Sequence, residues 1–250
     1  MANSGFFFSL EGIDGTGKSL QARYLTDFLT NKGFDVVLTS EPGGTDFGKY
    51  LRELILFQKD NNISLSDKTL LLLFLADRSH HIETVIKPAL SKGQIVICDR
   101  FFDSTVAYQG VGSKLPMQQV SMLVNFTCDI TPDATVLLDM DVIEAMQRKY
   151  SQNKSLDSME QKGETFYRAV AQGYLTLAKN NPQRIFKVDA SKMVHNVLSS
   201  ILKVFNAKYS YKLGKRLDDK DGNFDLGKLK LPKEAINGLV VNPNYGEDEE

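Results

Sequence analysis

Phe6-Phe7-Phe8-Ser9-Leu10 is a short apolar run, and Glu11 and then Gly12-Ile13-Asp14-Gly15-Thr16-Gly17-Lys18-Ser19 follow it directly. The last eight residues satisfy the G-x-x-x-x-G-K-[ST] pattern, and the run before them reads as a buried strand. Behind them, Lys18–Lys32 carries Leu20, Tyr24, Leu25, Phe28 and Leu29 on one helical face. Strand, glycine-rich loop and helix in this order form a cradle for phosphate. Glycine lets successive backbone N–H groups point inward, and the helix start adds positive potential. Gly12, Ile13, Asp14, Gly15, Thr16 and Gly17 are expected to line the phosphates. Lys18 is expected to reach the β- and γ-phosphates, and Ser19 to hold Mg²⁺.

The same alternation extends outward from this stretch. Val36–Thr39, Ile95–Cys98, Thr135–Asp139 and Ile185–Val188 read as four more short strands buried on both faces. Helical patterns lie near 46–57, 66–91, 116–126, 141–150, 160–180 and 193–207. The fold expected is α/β and P-loop NTPase-like: a five-stranded parallel sheet with helices on both faces. Ligands of such sheets sit beyond the carboxyl ends of the strands.

Composition narrows the function. The 250 residues are 42% apolar and 24% charged, with a net charge of −1, so no global positive field points to nucleic acid or to an anionic membrane. Cys98 and Cys128 lack metal-ligand spacing, and His80, His81 and His195 form no recognisable metal set. No apolar run approaches the length of a membrane span. Gly5–Leu10 is too short for a signal core, so a reducing cytoplasm is the expected location. Residues 1–208 are expected to form the catalytic domain. Composition shifts after about residue 208, and residues 209–250 read as a C-terminal extension, either loosely held or docked through Leu226–Leu231 and Ile236–Val241.

The residues after the other strands must say which reaction is served, because many functions share the phosphate loop. Asp99-Arg100 follows the third strand. Asp99 suits a metal-water ligand, or a helix cap, and the planar fork of Arg100 suits a phosphate. Phe74 lies one helical turn before Arg78. The two could grip a base and a phosphate, or serve as a core residue and a surface ion pair. Glu41-Pro42-Gly43-Gly44 follows the second strand as a turn beneath a ligand. His80 and His81 read as helix-surface or interface residues, and Cys98 as packing.

Taken together, these segments resemble the thymidylate kinases, nucleoside-monophosphate kinases that convert dTMP to dTDP. The match runs through Glu11–Ser19, Glu41–Thr45, Phe74–Arg78, Glu83–Leu90, and Asp99-Arg100 through Ser104-Thr105-Val106-Ala107-Tyr108-Gln109-Gly110, within roughly residues 5–205. The resemblance implies ATP as donor, Mg²⁺ and a homodimer. It implies that Phe74 stacks on thymine, Arg78 reads it, and Arg100 binds the acceptor phosphate. Ser104, Thr105, Tyr108 and Gln109 would shape the base and sugar pocket, and Tyr108 would crowd a ribose 2′-hydroxyl. Asp14 would meet the 3′-hydroxyl, Glu41 would support the loop near the acceptor phosphate, and Ser19 and Asp99 would hold the metal. The Asp189-Ala190-Ser191 region would border adenine, although Ser191 also reads as a helix cap.

Gly15, rather than a basic residue, makes the chain resemble the bacterial-type members, and that resemblance implies that a lid near 148–160 supplies the catalytic cation. Arg148 is the first candidate for it, with Lys149 and Lys154 nearby. Three features depart from the family pattern: Ser40 where many members carry Arg, Ser158 where bacterial members often carry Arg, and the extension. Ser40 keeps a broader-range pyrimidine monophosphate kinase open as an alternative. A P-loop switch without transfer is a more distant one, since a switch has no use for a second nucleotide pocket.

Overall fold

The computed structural model describes residues 5–56, 64–152 and 162–214, together with 217, 218, 224 and 226. Every residue of β1 (Phe6–Glu11) is buried. Side chains alternate along a strand, so Phe6 and Phe8 meet Phe205 edge-on at 5.1 and 5.2 Å, while Phe7 meets Phe101 at 4.9 Å on the opposite face. Around β1 stand β2 (Val36–Ser40), β3 (Ile95–Asp99), β4 (Ala134–Asp139) and β5 (Ile185–Asp189). All pairings are parallel, in the order β2-β3-β1-β4-β5. The expected five-stranded parallel sheet is therefore present.

Asp99 pairs with both Leu10 of β1 and Ser40 of β2. The three strands thus end at one level, and Glu11, Glu41 and Arg100 leave the sheet side by side. This edge, where the chain order reverses around β1, is where ligands enter such folds.

The helices are α1 (Lys18–Asn31), α2 (Asp46–Leu56), α3 (Asp67–His81), α4 (Lys87–Ser91), α5 (Phe102–Thr105), α6 (Met117–Thr127), α7 (Val142–Gln152), α8 (Gly163–Asn180) and α9 (Val194–Leu213). The pattern over 66–91 does not form one helix. A π-helical turn at Ile82–Ile86 separates α3 from α4, where Pro88 cannot supply the N–H of an α-helical turn. The apolar pattern predicts no element over 102–112. There the chain forms α5 and a second π-helical segment, Val106–Gly112. The apolar residues of this stretch, Phe102, Val106, Ala107, Tyr108 and Val111, are interleaved with polar residues and glycines and give no sustained helical stripe to announce a helix.

Helix α9 runs through the break that composition placed after 208. Tyr209 on its inner stripe stacks on Phe205 at 5.5 Å and meets Phe6 and Phe34. Beyond it, Leu217 donates its N–H to Asn206 Oδ1 at 2.7 Å, and Phe224 meets Phe28 of α1 edge-on at 6.0 Å. Leu226 packs against the same core. The rest of the two apolar patches of the extension, and Glu247–Glu250, lie outside the described residues. Among the described residues no helix is long and apolar enough to cross a membrane.

Candidate active site

The phosphate loop leaves β1 and enters α1 as the sequence predicts. Gly15 has φ of +86°, and a Cβ there would overlap the carbonyl oxygen of Ala145, so the loop lies directly against α7. Lys18 is buried and donates to Ile13 O at 2.9 Å, folding back over its own loop. Burial, with Arg100 nearby, brings its pKa down to about 8. Ser19 donates to Asp99 Oδ2 at 2.5 Å, and Asp99 Oδ1 is buried with no hydrogen-bond partner among the described residues. The Ser19 hydroxyl and the Asp99 carboxylate, one of whose oxygens is orphaned, make an all-oxygen donor set, which fits a hard divalent cation completed by phosphates and water.

Arg100 is the hub of the site. It leaves β3 with φ of +72°. Its guanidinium donates to Asp14 Oδ1 at 2.5 Å, Gly12 O at 3.0 Å, and the hydroxyls of Ser104, Tyr108 and Tyr174 at 3.1 Å each. It also lies 5.0 Å over the Tyr108 ring. Asp14 further accepts from Tyr167 at 3.1 Å and Tyr108 at 3.3 Å. Burial pushes the Asp14 carboxyl up, but Arg100, Lys18 and Lys149 outweigh it and hold it well below the usual carboxylate range. The donor loop and the arginine expected to bind the acceptor are thus joined by one ion pair.

Glu11 supports this hub from below. It accepts from Phe101 N–H at 2.7 Å, Ser104 Oγ at 2.6 Å and Tyr174 OH at 2.9 Å. Burial and the nearby Asp103 push its carboxyl up to about 7. Ser104 therefore faces Glu11, Tyr174 and Arg100 and steadies them.

A second buried network lies behind the acceptor side. Glu41 accepts from Arg78 Nε at 2.7 Å through one oxygen and meets His81 Nδ1 at 2.9 Å through the other. Arg78 also donates to Thr105 Oγ1 at 2.8 Å and lies 5.4 Å over the Phe101 ring. Glu41 spends both oxygens on side chains, because it lies beneath the turn. One expectation, that His81 lies on the helix surface or at an interface, needs revision. His81 is fully buried, because it falls on the face of α3 that Arg78 shares. His80, one residue before it, is exposed and meets Phe47. Phe74 is partly buried against the core one turn before Arg78. Tyr108 and Gln109 are buried within the second π-helical segment. Arg52 of α2 donates to Pro42 O at 2.9 Å, so the turn after β2 carries a cation although Ser40 is neutral.

At the lid, the two adjacent cations Arg148 and Lys149 point in different directions. Arg148 is held by Glu144 at 2.6 Å and by the carbonyls of Ala190 and Ser191 at 3.1 and 3.2 Å. It points to the β5–α9 connection. Its neighbour Lys149 lines a cleft with Asp14, Met146, Tyr150 and Tyr167. Successive side chains diverge by about 100° on a helix at 3.6 residues per turn, so only one of the two faces the loop. Lys154, Asp157, Ser158 and Glu160 lie outside the described residues.

The thymidylate kinase family model matches residues 10–201. A thymidylate kinase of Trichormus variabilis is 42% identical over 202 residues, covering 79% of this chain and 95% of the relative. The chain belongs to the thymidylate kinase family. A thymidylate kinase of Protochlamydia amoebophila is 39% identical over 213 residues, covering 82% of this chain and 94% of the relative. The crystal structure of thymidylate kinase from Ehrlichia chaffeensis superposes with a TM-score of 0.66 at 34% identity, covering 81% of this chain and 98% of that one. No motif in the sequence points to a place in the site for Glu11, Tyr167, Tyr174, His81 or Asp77. The two tyrosines sit seven residues apart, two turns along one face of α8. A hydroxyl on an otherwise apolar stripe was the available signal.

Proposed function

We propose that the protein transfers the γ-phosphoryl group of ATP to the phosphate of dTMP, releasing dTDP and ADP. The observation that carries this reading is the pair of cradles at one sheet edge. The phosphate loop faces Arg100 across Asp14, and the buried Glu41–Arg78–Thr105 network stands behind Arg100. The loop amides and Lys18 would hold the donor phosphates, and Arg100 the acceptor phosphate. Phe74, Arg78, Thr105, Tyr108 and Gln109 would enclose the base and sugar, with Asp14 beside the 3′-hydroxyl. The acceptor phosphate is already largely ionised near neutral pH, so transfer needs positioning and charge neutralisation more than a strong base. Ser19 and Asp99 would hold Mg²⁺, which neutralises charge on the transferring phosphoryl group when bound. Lys149 is the lid cation that faces the transfer point, and Arg148, beside Ala190 and Ser191, serves the base end of ATP.

We also assign a cytoplasmic location, in keeping with the free thiols Cys98 and Cys128, and a homodimer. The dimer assignment draws on exposed Leu72 of α3 and Met122 and Phe126 of α6, and a sedimentation measurement tests it. The chain through Leu213 is read as the kinase unit and the residues beyond it as an extension. The deciding experiment is ADP release with ATP and Mg²⁺ against dTMP, dUMP, UMP, CMP, AMP and GMP. Strong preference for dTMP is expected. Equal rates across the pyrimidines would favour a broad-range enzyme, and hydrolysis independent of dTMP a switch.

A further inference from the structure

His81 has none of the roles assigned above, yet both of its ring nitrogens are engaged in a fully buried site. Nδ1 lies 2.9 Å from Glu41 Oε1, and Nε2 lies 2.6 Å from Thr39 Oγ1. A carboxylate only accepts, so Nδ1 donates to Glu41, while Nε2 and the Thr39 hydroxyl share the second hydrogen bond. Arg78 precedes His81 by three residues on the same helix face and takes the other oxygen of Glu41. One face of α3 therefore grips a single carboxylate at both oxygens. The chain of contacts continues through Arg78 Nη1 to Thr105 Oγ1, at the threshold of the segment that carries Tyr108 and Gln109.

A second observation places the imidazole under the turn itself. A Cβ on Gly44 would overlap both His81 Nε2 and Thr39 Oγ1. The Glu41-Pro42-Gly43-Gly44 turn is thus seated on the ring, which ties β2, the turn and α3 together.

We propose that His81 is a positioning residue for acceptor recognition: it fixes Glu41, and through Glu41 the guanidinium of Arg78, before the nucleotide arrives. This deepens the proposed function and rests on it. His81 touches no substrate. Without it, one Glu41 oxygen loses its partner, the carboxylate can turn about its last torsion, and Arg78 loses a fixed acceptor. Preorganisation of the base pocket then falls. The phosphate loop on the far side of Arg100 is unaffected.

Steady-state kinetics of the full chain test this with His81→Ala and His81→Asn, the latter restoring an amide N–H near the position of Nδ1. His81→Ala is expected to raise KM for dTMP about tenfold, equal to about 1.4 kcal/mol. Its kcat and KM for ATP should stay within about twofold of wild type, and His81→Asn should recover most of the loss. A merely structural role would lower active enzyme without separating the two substrates. If His81→Ala does not fold, Thr39→Val carries the test by removing only the far hydrogen bond, with a rise of about threefold in KM for dTMP alone. An unchanged KM for dTMP in a folded variant overturns the proposal. So does an equal change for ATP, or a folded His81→Asn no better than His81→Ala. If the wild type does not use dTMP, the proposed function fails instead. Calorimetric binding of whichever monophosphate it does use then makes the same comparison, and an unchanged affinity in the variants again overturns the positioning role.

Discussion

Glu41→Gln isolates the charge at the centre of the acceptor-side network while keeping its shape. Glu41 is 4% exposed and Arg78 2%, so the pair is screened by protein and not by salt. Glutamine offers one acceptor oxygen and one amino group to two donors, Arg78 Nε and His81 Nδ1. Whichever way the amide turns, one N–H faces another, and the guanidinium keeps its charge. Breaking a buried pair by removing one partner costs about 3–5 kcal/mol. Asp77 stays beside Arg78 as a partial counter-charge, its own carboxyl pushed up to about 6 by burial and by Glu41. The expected loss therefore falls at the lower end, about 3 kcal/mol. For a domain of this size that corresponds to a fall of roughly 6–12 °C in Tm. Urea titration of both proteins, with and without about 0.5 M NaCl, measures it, and the difference should survive the salt. A loss below about 1 kcal/mol, or one that vanishes in salt, would place the pair in the weak class of surface bridges and refute the reasoning.

Lys18→Ala should leave dTMP binding by calorimetry largely intact while turnover falls by at least about 10²–10³, the scale for losing one charge-stabilising donor. Near-normal turnover would reject the role given to Lys18. On α7, Lys149→Ala should lower kcat at saturating ATP, whereas Arg148→Ala should mainly raise KM for ATP; the reverse pattern would return the lid role to Arg148. The Glu11 carboxyl, pushed up to about 7, holds in the folded state a proton that the unfolded chain releases near 4.5. Its stabilising contribution is complete below pH 4.5 and is lost as pH rises to about 7. The stability of wild type relative to Glu11→Gln should therefore fall across that window by roughly 3 kcal/mol. A flat difference in chemical denaturation would mean that Glu11 is already ionised when folded.

Much of the site was legible because its parts follow strands. Gly12–Ser19, Glu41, Asp99 and Arg100 stand where an apolar run stops, and a short buried run is hard to misread when flanked by glycine and polar residues. Residues 102–112 were not legible as helix, since their apolar residues are broken up by polar residues and glycines without a sustained stripe, and π-helical geometry has no composition of its own. His81 was misread for a related reason. A histidine beside an exposed one on an amphipathic helix has two possible faces, and spacing alone does not say which neighbour arrives from β2. Arg148 and Lys149 pose the same problem, with adjacent cations that only the packing of α7 against the loop at Gly15 tells apart.

The amino-acid sequence by itself determined the strand–loop–helix order, the parallel sheet, the phosphate loop and the set of polar residues at the strand ends. These depend on local spacing and on the run of apolar residues along the chain. Only the tertiary structure decided that Asp14 and Arg100 join the two cradles, that Glu41 lies between Arg78 and His81, and that Tyr167 and Tyr174 reach in from α8. Those pairings cross up to 163 residues, from Glu11 to Tyr174. They exist because parallel crossovers bring distant strand ends to one edge, where burial obliges each polar group to find a partner.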